Sequence, residues 1–254
     1  MQHTLKMKPI PWMTSVGLAC LLCLTIEQKA FADGSSVSRL IINSSAGTPF
    51  SNETATGPGD IILKEIFHRA NVPAEVIPTS SERSLSNINH GIDDGDGFRM
   101  EGLQSLYPHI VCVPEVISEF EFCVYCLAEH PIKVDGFDDL KLHQIAINRG
   151  RPGMLKMVSG ARAVIEVNTQ EQLFRMLDSG RVEAVLDERS QADFTLKTLD
   201  LKTIKRIDPP IASRPIYIYL NEKHASLVPA LVAAIKSMKQ DGFIDRTLRE
   251  GGLK

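Results

Sequence analysis

Short apolar runs alternate with helical patterns along most of this chain, and the alternation starts twice. Residues 38–43 (SRLIIN), 74–77, 110–113 and 119–127 read as strands. Between them lie a helix over 60–70, with Ile62, Ile66 and Ala70 on one face, and a second opened by Ser80 or Ser81 that carries Leu85 and Ile88. Past residue 130 the order begins again. Strands at 144–148, 163–167, 182–186 and 204–207 are separated by helical patterns at 154–159, 169–179 and 190–199, the second opened by the capping-box pair Thr169 and Gln172. A β run at 214–220, an amphipathic helix through 239 and a short helix after Gly242 close the chain. Such alternation argues an α/β architecture with mostly parallel sheets. The restart predicts two α/β lobes, the first over 33–127 and the second over 128–208. Residues 209–254 return to the first lobe, because their helices have no strands of their own to cover. Two crossovers, near 125–130 and 208–215, would form a two-strand hinge with a ligand cleft between the lobes.

Residues 1–32 stand apart from this pattern. Lys6 and Lys8 precede an eleven-residue apolar run over 16–26, and Ala30-Phe31-Ala32 supplies a small-x-small cleavage site. The run is shorter than the about 20 residues that a membrane span needs. It reads as a cleavable signal peptide, with Asp33 as the mature start and the periplasm as the destination. Removing three Lys and one Glu with it takes the formal charge from −3 to −5, which offers no footprint for nucleic acid. Cys112, Cys123 and Cys126 remain. Export is compatible with one disulfide among them, and Cys112, on a neighbouring strand, is the better placed partner for either of the other two. Cys123 and Cys126 read as strand residues on opposite faces rather than as a redox pair.

The stretch 91–101 (GIDDGDGFRME) concentrates acids and glycines at a helix–strand junction. A calcium loop does not fit, because placing Asp96-Gly97 at loop positions five and six puts Ile92 and Leu103 at the terminal ligand positions. No metal or cofactor motif appears elsewhere. A fainter copy runs over 180–188. With Gly91 set on Gly180, Ile88 meets Leu177, Asp94-Gly95 meets Glu183-Ala184, and Arg99 meets Glu188. Each copy is a helix, a Gly stop, an acid and a buried strand whose carboxyl end carries polar residues. Ligands of open α/β sheets bind outside those ends. Arg99 on one side and Asp187 or Glu188 on the other would suit a small zwitterion or polar solute. Arg83, in the first turn of its helix where a cation is unfavourable, is a further candidate for the cleft, as are Arg149 and Arg151 beside Gly150.

The closing run over 221–245 (NEKHASLVPALVAAIKSMKQDGFID) resembles the last helix of bacterial extracellular solute-binding proteins of family 3, the amino-acid-binding type. The first strand followed by Thr48-Pro49-Phe50-Ser51, and the two corners, are similar to that family as well. The resemblance implies a periplasmic binding protein-like II fold, a monomer that captures an amino acid or related carboxylate for an ABC permease. It implies Arg99 as the clamp on a ligand carboxylate, a role suited to a planar guanidinium, and Asp187 as the acid for a ligand amino group. Gly150 and Arg151 would present a helix start to the carboxylate, and Phe50 would supply an apolar wall. Asn52 stands where the family has Tyr, and Gly97-Phe98 replaces the Thr-x-x that usually leads to the Arg. Two other functions fit the same fold: a dehydratase-like enzyme using a cleft carboxylate as general acid, and a sensory or accessory binding protein. The lack of His or Cys at either corner favours binding without catalysis.

Overall fold

The computed structural model describes residues 39–253. The expected signal peptide and mature start lie outside the described residues. In the first half, β1 (Leu40–Ser44) lies between β2 (Ala74–Pro78) and β3 (Gly95–Met100), all parallel, with Ile42 opposite both Val76 and Gly95. The crossovers are α1 (Pro58–Arg69) and α2 (Ser81–Asn89), followed by β4 (Ile110–Cys112) and β5 (Ser118–Leu127). In the second half β6 (Gln144–Asn148) pairs in parallel with β7 (Ala163–Val167) and β8 (Ala184–Glu188). Its helices are α3 (Pro152–Met157), α4 (Gln170–Asp178) and α5 (Arg189–Thr198). Then come β9 (Ile204–Asn221), α6 (Val228–Gln240) and α7 (Phe243–Glu250). Both closing helices pack on α1, where Arg69 meets Asp241 at 2.5 Å.

The strand order is β2-β1-β3-β9-β5-β8-β6-β7, with β4 also on β9. Thus β5 and β9, antiparallel along their length, carry the chain from one α/β lobe to the other. The sequence presents residues 204–207 and 214–220 as two strands, because Asp208-Pro209-Pro210 looks like a break. They form one strand of 18 residues. The prolines fall in a register skip, between Phe122 opposite Ala212 and Val124 opposite Ile207. A residue without an N–H is tolerated where the ladder needs no donor.

Strand alternation sorts the core into layers. Phe122 and Val124 join one cluster while Cys123 and Tyr125 join another, and Ile145 and Ile147 part from Ala146 in the same way. Strands buried on both faces read as continuous apolar runs, which is why QIAIN shows no polar alternation. One cluster passes unbroken from Ile62 and Leu63 through Phe120 and Phe122 to Ile145 and Leu186. Thr169 caps α4, accepting from Gln172 N at 3.1 Å, while Gln172 Oε1 reaches Asn168 N rather than the capping residue.

The disulfide expectation is corrected: Cys112, Cys123 and Cys126 are all free. Cys112 sits opposite Tyr219 and packs in the cluster of Leu85, Ile88 and Tyr219. Cys123 lies opposite Asp187 in a different cluster. Burial pushes the Cys123 thiol up to about 12, so it behaves as a small apolar side chain.

Gly97 is a close-approach position on β3. A Cβ there would stand 2.5 Å from Leu63 Cδ2, and Leu63 is wholly buried. Gly97→Ala should therefore lower the unfolding free energy by about 1–3 kcal/mol through overpacking. Urea denaturation at pH 7 measures this, and an unchanged midpoint would show that α1 can yield.

Candidate ligand-binding site

The two acidic corners occupy equivalent places. Gly91 and Gly180 both have φ near +70° (71° and 69°), the left-handed conformation that ends a helix. Gly95 on β3 lies opposite Ile42, and Ala184 on β8 lies opposite Ile145, so the ungapped alignment is also a structural one. Asp94 accepts from Ile41 N at 2.9 Å and has His224 Nε2 at 2.6 Å. Glu183 accepts from Gln144 N at 3.3 Å and has His143 Nδ1 at 3.2 Å. Each acid thus secures the start of its lobe's first strand.

Beyond this point the corners diverge. A β-bulge separates Asp96, opposite Tyr219, from Arg99, opposite Tyr217. Within it Phe98 holds φ at 61°, a conformation that is unfavourable for a bulky side chain and clusters at functional positions. The bulge brings Arg99 back toward Asp96. Arg99 Nε donates to Asp96 Oδ2 at 2.5 Å, Nη1 to Ser81 Oγ at 2.5 Å and Nη2 to Ser81 O at 2.7 Å. Asp96 is fully buried and also accepts from Ser45 Oγ at 2.8 Å. Burial raises its carboxyl, and the Arg99 charge opposes that shift.

On the second lobe, β8 ends in two buried carboxylates. Glu188 caps α5, with its two oxygens accepting from Ser190 N and Gln191 N, each at 3.0 Å. Burial pushes its carboxyl up to about 7; the Asp187 charge adds to the rise, and the two N–H groups oppose it. Asp187 is inaccessible. Its carboxyl is raised by burial and held back by Arg151, whose Nη1 stands 3.6 Å from Oδ1. Arg151 directs Nη2 to Gln191 Oε1 at 2.7 Å, and Gln191 donates its own Nε2 to Ala46 O in the first lobe. The lobes also meet where a side chain at Gly150 would stand 3.1 Å from Glu82 Cβ, and where Gly153 faces the Met100 side chain.

Between the lobes lies a cavity of about 80 Å³. Arg99, Arg151, Glu188 and Gln191 line it together with Phe98, Phe120, Phe122, Met100 and Met154. A larger open hollow of about 860 Å³ runs along the other face of β5, past Glu119 and Glu121. It takes in Phe50 and Glu188 but not Arg99, Arg151 or Gln191.

Of the expected site residues, Arg99, Arg151 and Glu188 line the interlobe cavity, and three more lie next to those that do. Gly150 adjoins Arg151 and faces Glu82, Asp187 stands behind Arg151, and Phe50 packs on the cavity residues Phe120 and Phe98, with ring centroids 4.7 Å and 6.0 Å away. Arg83 is the correction: it is exposed and lines neither hollow. The first turn of α2 leaves it in water, where the helix dipole is weakly felt. Arg149 is exposed as well. The sequence reading missed Ser81 as a partner for Arg99 and Gln191 as a partner for Arg151. The signal for Phe120 and Phe122 was present, because alternate residues of one strand share a face.

The sequence matches no protein-family model and no curated protein. Solved structures do match. The substrate-binding protein of an amino acid ABC transporter aligns with a TM-score of 0.68 at 19% identity, over 84% of this chain and 98% of that one. The ligand-binding core of GluR0 complexed with L-glutamate gives 0.74 at 14% identity, over 84% and 97%. A histidine kinase sensor domain with similarity to periplasmic binding proteins gives 0.72 at 12%, over 84% and 95%. The chain has the periplasmic binding protein-like II fold.

The raised Glu188 carboxyl gives a signed pH dependence. The folded state keeps a proton that the unfolded chain has lost between about pH 4.5 and 7, so stability falls as pH rises through that window. The full cost, of the order of 3 kcal/mol, is present above it. Glu188→Gln should remove most of the fall between pH 5 and pH 8, while the weaker cap lowers stability by about 1 kcal/mol at both pH values. Denaturation curves at both pH values measure this. An unchanged slope would show that Glu188 titrates as an ordinary carboxyl.

Proposed function

We propose that the chain is an exported solute-binding receptor that closes its two lobes on a small polar ligand. The observation that carries this reading is the convergence of Arg99, Arg151, Glu188 and Gln191 on one cavity between the lobes, at the carboxyl ends of both strand sets. The fold is shared with an amino acid ABC transporter's substrate-binding protein, which supports delivery to a permease. It is also shared with a kinase sensor domain, so a sensory receptor would differ only in what receives the closed form. Binding is favoured over catalysis by the engagement of Glu188. Both its oxygens hold backbone N–H groups of α5, which leaves it poorly placed to pass a proton to a substrate.

A ligand that binds only the folded chain stabilises it by RT ln(1 + [L]/Kd), about 2.7 kcal/mol at a hundredfold excess over Kd. Thermal denaturation against amino acids, small carboxylates, small amines and small amides should give a rise of about 5–10 °C for the cognate class. A flat response across all four classes would overturn the receptor reading.

A further inference from the structure

The charges around the interlobe cavity narrow the ligand class, provided that the receptor reading holds. Two cations line that cavity, and each is matched by a buried acid that does not. Arg99 lies 2.5 Å from Asp96, which is fully buried and also accepts from Ser45. Arg151 lies 3.6 Å from Asp187, which is fully buried as well. Among the described residues the acids on the wall itself are Glu188 and Glu101. Glu188 gives both oxygens to backbone N–H groups of α5, and burial pushes its carboxyl up to about 7. Glu101 is exposed, and water weakens its field.

The wall is thus close to electrical neutrality before any ligand enters. A ligand carboxylate would meet no uncompensated cation, since drawing Arg99 or Arg151 away strands a buried acid. A ligand ammonium would meet no free carboxylate, because Asp96 and Asp187 stand behind their arginines. A buried charge without a partner is costly, and either ion would create one. What the wall has in surplus is N–H. A guanidinium carries five donors. Arg99 commits its nitrogens to Asp96 and Ser81. Arg151 makes one short hydrogen bond, to Gln191 Oε1 at 2.7 Å, and a long one to Met154 Sδ at 3.8 Å. It can therefore receive a neutral oxygen while still facing Asp187. The rest of the wall includes Phe98, Phe120, Phe122, Met100 and Met154, which suit an apolar body. At about 80 Å³ the cavity is far smaller than the roughly 300–1,000 Å³ of clefts that hold drug-sized molecules, so the body is compact.

We infer that the ligand is a compact uncharged molecule with an apolar body and a carbonyl oxygen, which accepts hydrogen bonds from Arg151. The test is titration calorimetry of the purified chain at pH 6 with two matched sets. These are isobutyramide, isobutyrate, isobutylamine and valine, and benzamide, benzoate, benzylamine and phenylglycine. At least one amide should bind ten times more tightly than the three charged compounds of its set. Asp187→Asn removes the acid that matches Arg151 and leaves that cation uncompensated. It should therefore raise the affinity for the carboxylate at least tenfold relative to the amide. Should that variant fail to fold, Arg151→Lys keeps the charge but loses the planar donors, and should weaken the amide severalfold. A charged compound that binds as tightly as its amide would overturn the inference and leave the receptor reading standing. So would a folded Asp187→Asn protein whose preference is unchanged or, where it does not fold, an Arg151→Lys protein that binds the amide as before. Silence from all eight compounds overturns the inference, and the thermal panel then decides whether the receptor reading stands.

Discussion

The antiparallel pairing of β5 with β9 holds the molecule together, because each lobe's sheet is completed by the same two strands. From Ser118 opposite Ile216 to Leu127 opposite Ile204, the ladder serves first one lobe and then the other. Its alternation also sets the two faces of the hinge, with Phe120 and Phe122 toward the interlobe cavity and Glu119 and Glu121 toward the open hollow. Between Asp208 and Ile211 the second strand has no partner on the first. Fewer cross-strand bonds hold the pair there, and lobe motion concentrates where local stability is lowest.

The cleft walls solve the cost of buried charge in different ways. In the first lobe Asp96 and Arg99 compensate each other at 2.5 Å, and three serine groups take the remaining valences. Breaking such a pair by removing one partner would strand the other, at a cost of about 3–5 kcal/mol. In the second lobe Arg151 approaches Asp187 only to 3.6 Å and gives its short hydrogen bond to Gln191 instead. The first arrangement is complete without a ligand.

The fold was legible because its signals are local and redundant. Runs such as QIAIN are buried on both faces, and Thr169 with Gln172 marks a helix start by hydrogen-bonding chemistry alone. The continuity of β9 was hidden, since Pro209-Pro210 looks the same in a loop and in a register skip. Arg83 was misplaced because a dipole argument gives the energetic penalty of a position without saying whether water already screens it. Of the adjacent acids Asp187 and Glu188, the sequence offers no means of telling which caps α5. The backbone of Glu188, with φ −70° and ψ 133°, decides that. The pairing of Arg99 with Asp96 depends on a bulge that residue types alone do not reveal.

That bulge explains how two equivalent corners came to differ. The shared register sets Gly95 against Ala184, and therefore Phe98 against Asp187 and Arg99 against Glu188. On β8 the ladder stays regular, with Asp187 opposite Cys123 and Glu188 opposite Phe122, so successive carboxylates leave the strand on opposite sides. Glu188 can then cap the helix while Asp187 stays behind Arg151. On β3 the extra residue breaks that alternation and draws Arg99 onto the acid three positions earlier. Phe98, in an unfavourable backbone conformation, is left lining the cavity at the position that Asp187 holds in the other lobe. A single inserted residue thus turns a polar corner into an apolar wall with a self-neutralised cation, while the second lobe keeps both of its carboxylates.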